Sequence, residues 1–238
     1  MSERVALVTG ASRGLGAEIA AGLVAGGYTV VGAARTAPDE WAAAPVADLH
    51  RKVCDVTDES QVKRMFSEVR KEHGRLDLVV NNAGAFSGDL LLMASAERFA
   101  AVLRGNLLSA QVVTRESVKL MRPKGFGRVV SISSIAASIP LVGNSLYASA
   151  KTAVVGLMRD FALEFRNSGV TFNSVAISFV EHTGMVDALK PEARASYEAR
   201  LLVPRALDMS EVLGTIRFLA SDDAGAVTGQ VISLGSPY

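Results

Sequence analysis

Short runs of consecutive apolar and β-branched residues recur along the chain, and each run is long enough for one β-strand. The runs are apolar in succession instead of alternating with polar residues, which is typical of strands covered on both faces. This pattern predicts a parallel sheet. The predicted strands are Val5–Val8, Thr29–Val31, Arg51–Cys54, Leu76–Val80, Arg128–Ile132, Val170–Val175 and Val231–Leu234.

The segments between these runs carry apolar residues at helical spacing. The spacing is clearest at Ile19, Leu23 and Val24, at Val62, Met65, Phe66 and Val69, and at Val154, Leu157, Met158 and Phe161. Alternating strands and helices predict the α/β class, here a single-domain, Rossmann-like, doubly wound parallel sheet of about seven strands with helices on both faces. We expect residues 1–238 to form one domain, in which segment 184–205 is an insertion that covers the substrate.

Composition narrows the classes of function. The chain has 238 residues, 49% of them hydrophobic and 21% charged, with a net charge of +1. No basic excess is present to neutralise a phosphate backbone, so we expect no nucleic-acid partner. Cys54 is the single cysteine, which predicts no intramolecular disulfide and a cytoplasmic location. The uncharged run between Arg128 and Lys151 contains six serines, a polar content that argues against a membrane span.

A glycine-rich turn follows the first predicted strand, in the segment Thr9–Gly16. Gly10 would permit a tight turn, Gly14 a close approach of the backbone to a pyrophosphate, and Gly16 tight packing of helix against strand. The N-terminus of the next helix offers free N–H donors to phosphate oxygens. We therefore expect this turn to bind a dinucleotide.

The end of the second strand bears on the choice of cofactor. An acidic residue about 20 positions after the glycines would bind both ribose hydroxyls of NAD, but Arg35 stands there. Its guanidinium and that of Arg13 suit a 2′-phosphate, so NADP(H) is favoured over NAD(H). The alternative is that Arg35 is only a solvated strand-end residue, and that Asp39 or Glu40 binds the ribose.

Tyr147 and Lys151 are four residues apart at the start of a predicted helix, which places them on one helical face. An ammonium near the phenol favours phenolate and would lower the pKa of the tyrosine from about 10 towards neutrality. Tyr147 is then a candidate general acid and base. A surface pair with no chemical role is the simpler alternative for this spacing.

Several motifs occur together in one order along the chain. They are Thr9–Gly16, Asn81–Gly84 after the fourth strand, Ser134 thirteen positions before Tyr147, the Tyr147 and Lys151 pair, and Thr228–Gln230 near the end. This combination resembles the short-chain dehydrogenase/reductase family, in particular its 3-oxoacyl-(acyl carrier protein) reductases. The resemblance covers essentially the whole chain, and it implies NAD(P)-dependent oxidoreduction.

The resemblance also implies a catalytic set of four residues. Tyr147 would give its proton to a substrate carbonyl oxygen, and Ser134 would hydrogen-bond that oxygen. Lys151 would bind the nicotinamide ribose and lower the pKa of Tyr147, while Asn106 would hold a water of a proton relay. This chemistry needs no metal, and the three histidines are too far apart in sequence to form a local zinc signature.

The implied cofactor contacts include Asp55 at the adenine and Asn82 and Gly84 on the adenosine side. For Asp55 and Asn82, a role as turn or strand-end cap is an equally good interpretation. The full predicted set is Gly10, Ser12, Arg13, Gly14, Leu15, Gly16, Arg35, Asp55, Val56, Asn82, Ala83, Gly84, Tyr147, Lys151, Ile177, Val180 and Thr183.

The chain departs from the family pattern at two places. After the sixth strand, Ile177 and Ser178 replace a Pro-Gly pair, which removes the fixed φ of proline and the easy positive φ of glycine. His182 stands at or beside an expected threonine, which leaves Thr183 one position late. The last strand is followed by 235–238 (Gly-Ser-Pro-Tyr) in place of an acidic residue and paired glycines.

The sequence thus predicts an NADPH-dependent oxidoreductase that acts on a small carbonyl or secondary-alcohol substrate, free or carrier-bound. Tyr147 is its general acid and base, and the family resemblance implies a homodimer or homotetramer. One alternative is a non-catalytic NADP(H)-binding sensor or scaffold, which the two departures suggest and which would not need the four catalytic residues. An NAD(P)-dependent epimerase is a further alternative, although such enzymes usually carry a longer C-terminal substrate domain.

Overall fold

The computed structural model describes residues 4–42, 47–181 and 191–236. Its strands are β1 (Arg4–Thr9), β2 (Tyr28–Ala34), β3 (Leu49–Val53), β4 (Leu78–Asn81), β5 (Gly127–Ser134), β6 (Val170–Ile177) and β7 (Val231–Leu234). Its helices are α1 (Gly14–Ala25), α2 (Glu59–His73), α3 (Ala96–Leu103), α4 (Ser109–Met121), α5 (Ser145–Glu164), α6 (Pro191–Glu198) and α7 (Met209–Ala220).

The strands form one parallel sheet in the order β3-β2-β1-β4-β5-β6-β7. The order reverses direction beside β1, because the chain first builds outward to β3 and then crosses to β4 on the other side. In such sheets the carboxyl ends of the strands on either side of the reversal leave a crevice that binds ligands. The predicted doubly wound sheet of about seven strands is confirmed.

Buried apolar side chains cover both faces of the sheet. One core contains α2, α4 and α5, with Val62, Phe66 and Val69 packed beneath α2. The other core contains α1 and α7, with Ile19 and Leu23 packed beneath α1. The helical spacing found in the sequence therefore marks the inward faces of these helices, as predicted.

The last strand has its predicted bounds, and the other strand boundaries differ from the predicted ones by at most three residues. The fourth strand begins at Leu78 instead of Leu76, since Asp77 has another role just before it. Its carboxylate accepts the N–H of Val5 at 2.8 Å and forms a pair of hydrogen bonds with Arg75. None of the helices in the described part of the chain has the length and apolarity that crossing a bilayer requires.

The predicted insertion 184–205 lies partly within the described residues. Helix α6 begins at Pro191, and its Arg194 bonds Glu181 and Glu198 at 2.6 and 2.8 Å. After the helix, Arg200 donates to the carbonyl of Pro140 at 3.0 Å. The helix is thus tied to the end of β6 and to the loop that precedes α5.

Candidate active site

Asn82 joins the carboxyl ends of β1 and β4. Its side-chain amide donates to the carbonyl of Thr9 at 2.9 Å, and the backbone N–H groups of Asn82 and Ala83 both donate to Thr9 Oγ1 at 3.0 Å. Asn82 therefore caps the ends of these strands, which is one of the two roles that the sequence predicted for it. These bonds hold the glycine-rich turn against β4.

The glycines of this turn differ in what surrounds them. A Cβ on Gly16 would lie 2.2 Å from the carbonyl oxygen of Gly10 and 2.4 Å from the amide nitrogen of Asn82, so only glycine fits. Gly10 has a φ of 68°, in the left-handed region that favours glycine. Above Gly14, in contrast, a Cβ would meet nothing within 4 Å. The N-terminus of α1 therefore faces open space, with room for a phosphate group.

Arg13 and Arg35 both present exposed side chains at this end of the sheet. Asp39 and Glu40 are also exposed, in the short turn Pro38–Glu40 that follows β2. That segment is tied to the glycine-rich turn, since the N–H of Ala42 donates to the carbonyl of Ser12 at 3.0 Å. Two cations and two carboxylates are thus exposed in the segments that follow β1 and β2.

Asp55 follows β3 and organises its own turn. One carboxylate oxygen accepts the N–H of Thr57 at 2.9 Å and the hydroxyl of Thr57 at 2.8 Å. Its N–H donates to the side chain of Gln61 at 3.0 Å. Asp55 therefore caps its own turn, which is one of the two roles that the sequence predicted for it. The next residue, Val56, is buried.

Ser134 and Tyr147 meet where β5 ends and α5 begins. The Ser134 hydroxyl accepts the N–H of Ala136 at 3.1 Å, and it lies close enough to the Tyr147 phenol to lower the pKa of that phenol. Ser133, its neighbour, lies on the other side of the strand, where its hydroxyl donates to the carbonyl of Lys151 at 3.2 Å. The thirteen-residue spacing therefore identifies the serine that contacts the tyrosine.

Lys151 lies one helical turn after Tyr147 and is buried. Its Nζ donates to the carbonyl of Ile132 at 2.9 Å and lies 5.6 Å from the centroid of the Tyr147 ring. Burial lowers the pKa of Lys151 to about 8. The ammonium is thus held between the end of β5 and the phenol.

The expected depression of the Tyr147 pKa is not what the structure gives. Burial of the phenol raises its pKa to about 12, and the nearby Ser134 hydroxyl opposes the rise. Tyr197 of α6 adds to the rise through its own charge. The reason for the difference is that burial of the phenol disfavours its charged form.

Asn106 lies in a π-helical turn, Arg104–Leu108, between α3 and α4. Its amide donates to the carbonyls of Ala85 and Val102 at 2.8 and 2.9 Å, while its Oδ1 is buried without a hydrogen-bond partner. The point that a Cβ on Gly84 would occupy lies 2.6 Å from this Oδ1 and 3.5 Å from Lys151 Nζ. The absent side chain of Gly84 therefore leaves a small polar space between the amide and the ammonium.

Three aromatic residues that the sequence analysis missed lie at this site, one in contact with Tyr147 and the other two in contact with each other. Phe86 packs edge-on against its ring at 5.3 Å between centroids and is 49% exposed. Tyr197 of α6 contacts Phe179 at 4.1 Å between ring centroids. The available signal was only that these aromatics occur on segments that follow predicted strands or lie in the insertion.

The two departures from the family pattern meet in the structure. Ser178 Oγ is buried without a hydrogen-bond partner, and a Cβ on Gly235 would lie 2.5 Å from it. Gly235 has a φ of 87°, and its carbonyl accepts the N–H of Val203 at 3.0 Å. The residues after β6 and β7 thus pack as one unit. His182 and Thr183 lie outside the described residues.

Comparisons with known proteins agree with this architecture. The family model described as Enoyl-(Acyl carrier protein) reductase matches residues 10–235. The 3-oxoacyl-[acyl-carrier-protein] reductase FabG of Escherichia coli is 33% identical to this chain in sequence. The alignment covers 96% of this chain and 94% of FabG. MabA of Mycobacterium avium, a 3-oxoacyl-[acyl-carrier-protein] reductase, is 35% identical, over 96% of this chain and 87% of its own length.

Solved structures show the same fold. A short-chain type dehydrogenase/reductase from Mycobacterium ulcerans superposes with a TM-score of 0.90 at 32% identity, over 97% of this chain and 88% of the other. ElxO, solved with NADP bound, gives a TM-score of 0.89 at 28% identity, over 97% and 96%. The fold places a ligand-binding crevice at the carboxyl edge of a doubly wound α/β sheet. The family model and the reductase relatives show that the chain is an oxidoreductase. The chain belongs to the short-chain dehydrogenase/reductase family.

Proposed function

We propose that this protein reduces the ketone of a 3-oxoacyl thioester, or a closely related carbonyl, with NADPH. The observation that carries the proposal is the contact between Ser134 and Tyr147 beside the buried Lys151, at the sheet edge that also bears the glycine-rich turn. The names of the FabG and MabA relatives support the substrate class. NADP bound to the structural relative ElxO supports the cofactor.

The residues present fit a dinucleotide. The open space above Gly14 and the free N–H groups at the start of α1 suit a pyrophosphate, while Arg13 and Arg35 suit the 2′-phosphate of NADP(H). We assign the remaining predicted cofactor contacts in the same way, with Asp55 at the adenine and Gly84 along the adenosine. When bound, the reduced nicotinamide supplies the hydride.

Tyr147 would act as the proton donor. With a pKa raised to about 12, its hydroxyl is protonated at neutral pH and can give a proton to the carbonyl oxygen as negative charge develops there. The Ser134 hydroxyl, which lies next to the phenol, would hydrogen-bond the same oxygen. Lys151 would stabilise the resulting phenolate, and the free Oδ1 of Asn106 would hold the water that returns the proton.

The surroundings of Tyr147 suit an apolar substrate. Phe86, Phe179 and Tyr197 provide aromatic surface next to the phenol. Two arginines of this region, Arg194 and Arg205, are paired with carboxylates, while the exposed Arg200 donates to the carbonyl of Pro140. The proposed substrate is a thioester, free or carrier-bound, and the proposed assembly is a homodimer or homotetramer.

The substrate proposal is tested by following the absorbance of reduced nicotinamide with NADPH or NADH and a panel of 3-oxoacyl thioesters, simple ketones and alcohols. We expect the fastest turnover with NADPH and a 3-oxoacyl thioester. Tight NADPH binding without turnover on any member of the panel would instead indicate the non-catalytic sensor. Turnover confined to simple ketones would remove the thioester assignment and keep the reductase.

The cofactor proposal has its own test in Arg35→Ala. Loss of a guanidinium from a dianionic 2′-phosphate should weaken NADPH binding about tenfold or more and leave NADH binding almost unchanged. Arg122→Ala, which removes an exposed arginine beyond the end of α4, is the matched control. An equal loss of affinity for both cofactors would contradict the 2′-phosphate role.

A further inference from the structure

Two imidazoles and a carboxylate meet at the edge of the sheet, in a cluster formed by His50, Glu72 and His73. His50 lies on edge strand β3, and the other two residues form the end of α2. Their ligand atoms all lie within 4.8 Å of one another, and the two imidazole rings contact edge-on at 5.0 Å between centroids. None of the three belongs to the proposed catalytic or cofactor-binding set.

His73 is the least accessible member of the cluster. Its side chain is 12% exposed, and its Nε2 is buried without a hydrogen-bond partner. The nearest carboxylate oxygen, Glu72 Oε2, is 3.8 Å away, beyond hydrogen-bond distance. A buried nitrogen that lacks a partner is costly, and a bound cation would give it one.

One oxygen of Glu72 is held by a lysine and the other faces the histidine. Lys52 Nζ donates to Glu72 Oε1 at 2.7 Å and to Glu68 Oε2 at 2.9 Å, so one ammonium is shared by two carboxylates. The second oxygen of Glu72 is the one nearest to His73. The C-terminal end of α2 adds a partial negative charge from its free carbonyls.

We propose that His50, His73 and Glu72 form a binding site for a divalent transition metal of the zinc type. Two imidazole nitrogens and one carboxylate oxygen are a zinc ligand set, with a fourth position for water. With metal–nitrogen bonds of about 2.1 Å, ligand atoms of a tetrahedral site lie roughly 3.4 Å apart, so ligand atoms that now lie within 4.8 Å of one another must move closer together. Glu72 is exposed and can move. The metal would join β3 to α2, whose ligands are 23 residues apart in sequence.

The test is calorimetric titration of ZnCl₂ into the chelator-treated, full-length protein without a polyhistidine tag. We expect one equivalent of zinc per chain, and a melting temperature several degrees higher at saturating metal. His50→Ala and His73→Ala should each weaken binding at least tenfold. His182→Ala, which removes the third histidine of the sequence and keeps all three ligands, should bind zinc as the wild type does.

Absence of a stoichiometric zinc site in the wild type would overturn the proposal, and so would unchanged affinity in His50→Ala. His50 is on an exposed position of β3, so its variant remains informative even if His73→Ala fails to fold. NADPH binding is measured in the same preparations. If the wild type binds zinc but does not bind NADPH, only the proposed function is contradicted, since the cluster shares no residue with the proposed cofactor site.

Discussion

Lys151 carries the largest energetic conflict of any single side chain in the candidate active site. Its ammonium is buried, and its pKa is lowered to about 8 from an ordinary value near 10.5 because desolvation penalises the charged form. Because the pKa of the lysine is lower in the folded state than in the unfolded state, the charged lysine lowers the free energy of unfolding. The full penalty, on the order of 3 kcal/mol, applies below pH 8, where both states are charged, and disappears above about pH 10.5.

Lys151→Met should therefore stabilise the fold while it abolishes turnover. We expect the free energy of unfolding at pH 7 to rise by about 1–3 kcal/mol, with the difference from wild type shrinking as the pH rises from 8 towards 10.5. Denaturant unfolding across this pH range measures it. Lys63→Met, at an exposed position of α2, is the control and should change stability by less than about 0.5 kcal/mol. A variant less stable than wild type at pH 7 would contradict the account.

Spacing identified Tyr147 and Lys151 as partners, but it could not give the direction of the tyrosine pKa. That direction depends on how completely the ring is desolvated, which is set by Phe86 and by α6, far away in sequence. Residue identity predicts which groups can react. Tertiary packing decides their protonation.

Among the elements, the turn between β1 and α1 leaves no room for a side chain at Gly16. Gly16→Ala would place a methyl group 2.2 Å from the carbonyl oxygen of Gly10, so the helix must move away from the strand. We expect a loss of about 1–3 kcal/mol in the free energy of unfolding, together with weaker NADPH binding. Denaturant unfolding and cofactor titration measure the two effects.

Gly156→Ala is the matched control for this substitution. Gly156 lies on the exposed face of α5, and a Cβ there would meet nothing within 4 Å. Because alanine is the better helix former, we expect stability to increase by up to about 1 kcal/mol and cofactor binding to stay unchanged. Similar behaviour of the two variants would show that the tight packing at Gly16 is unimportant.

A separate prediction concerns Tyr197 of helix α6. If its ring covers the substrate beside Tyr147, Tyr197→Ala should raise the KM for an apolar thioester about tenfold, while Tyr197→Phe should change it by less than about twofold. Steady-state kinetics on the two variants measure this. An unchanged KM in Tyr197→Ala would exclude the helix from substrate binding.

The elements themselves were largely predictable, for a physical reason. Strands of a parallel sheet must be apolar on both faces, and the runs in the sequence had that property and the correct order. The predicted start of β4 was wrong because Leu76 is buried without being in the strand, while the Asp77 carboxylate accepts a hydrogen bond from Val5 of β1. The pairing of Ser178 with Gly235 was also invisible, since it joins the ends of two strands 57 residues apart.

At the scale of the whole molecule, one sheet is expected to hold both the cofactor and the catalytic groups, so global folding and function should be coupled. Cys54 offers a direct probe, because it is the single cysteine, it is buried, and burial raises its pKa to about 11. We expect a thiol reagent to label the native chain about 1000-fold more slowly than the denatured chain. Rapid labelling under native conditions would show that the β3 edge opens locally.

The candidate catalytic residues illustrate what the sequence alone could and could not establish. The order of the motifs predicted that Ser134 and Tyr147 lie together, and the structure places the serine hydroxyl next to the phenol, while their catalytic roles stay a prediction. The meeting of His50 and His73 had no sequence signal, because strand β3 and the end of α2 approach each other only through the fold. Local sequence patterns predict the strands of the sheet, whereas contacts between segments far apart in sequence can be identified only in the folded structure.

The most direct measurement of the central claim compares NADPH oxidation by the wild type and by Tyr147→Phe, with NADPH affinity determined in parallel. Removal of the proton-donating hydroxyl should lower kcat by roughly 100- to 10,000-fold, while NADPH still binds within a few-fold of wild-type affinity. Turnover by Tyr147→Phe close to that of the wild type would contradict the assignment of Tyr147 as the general acid.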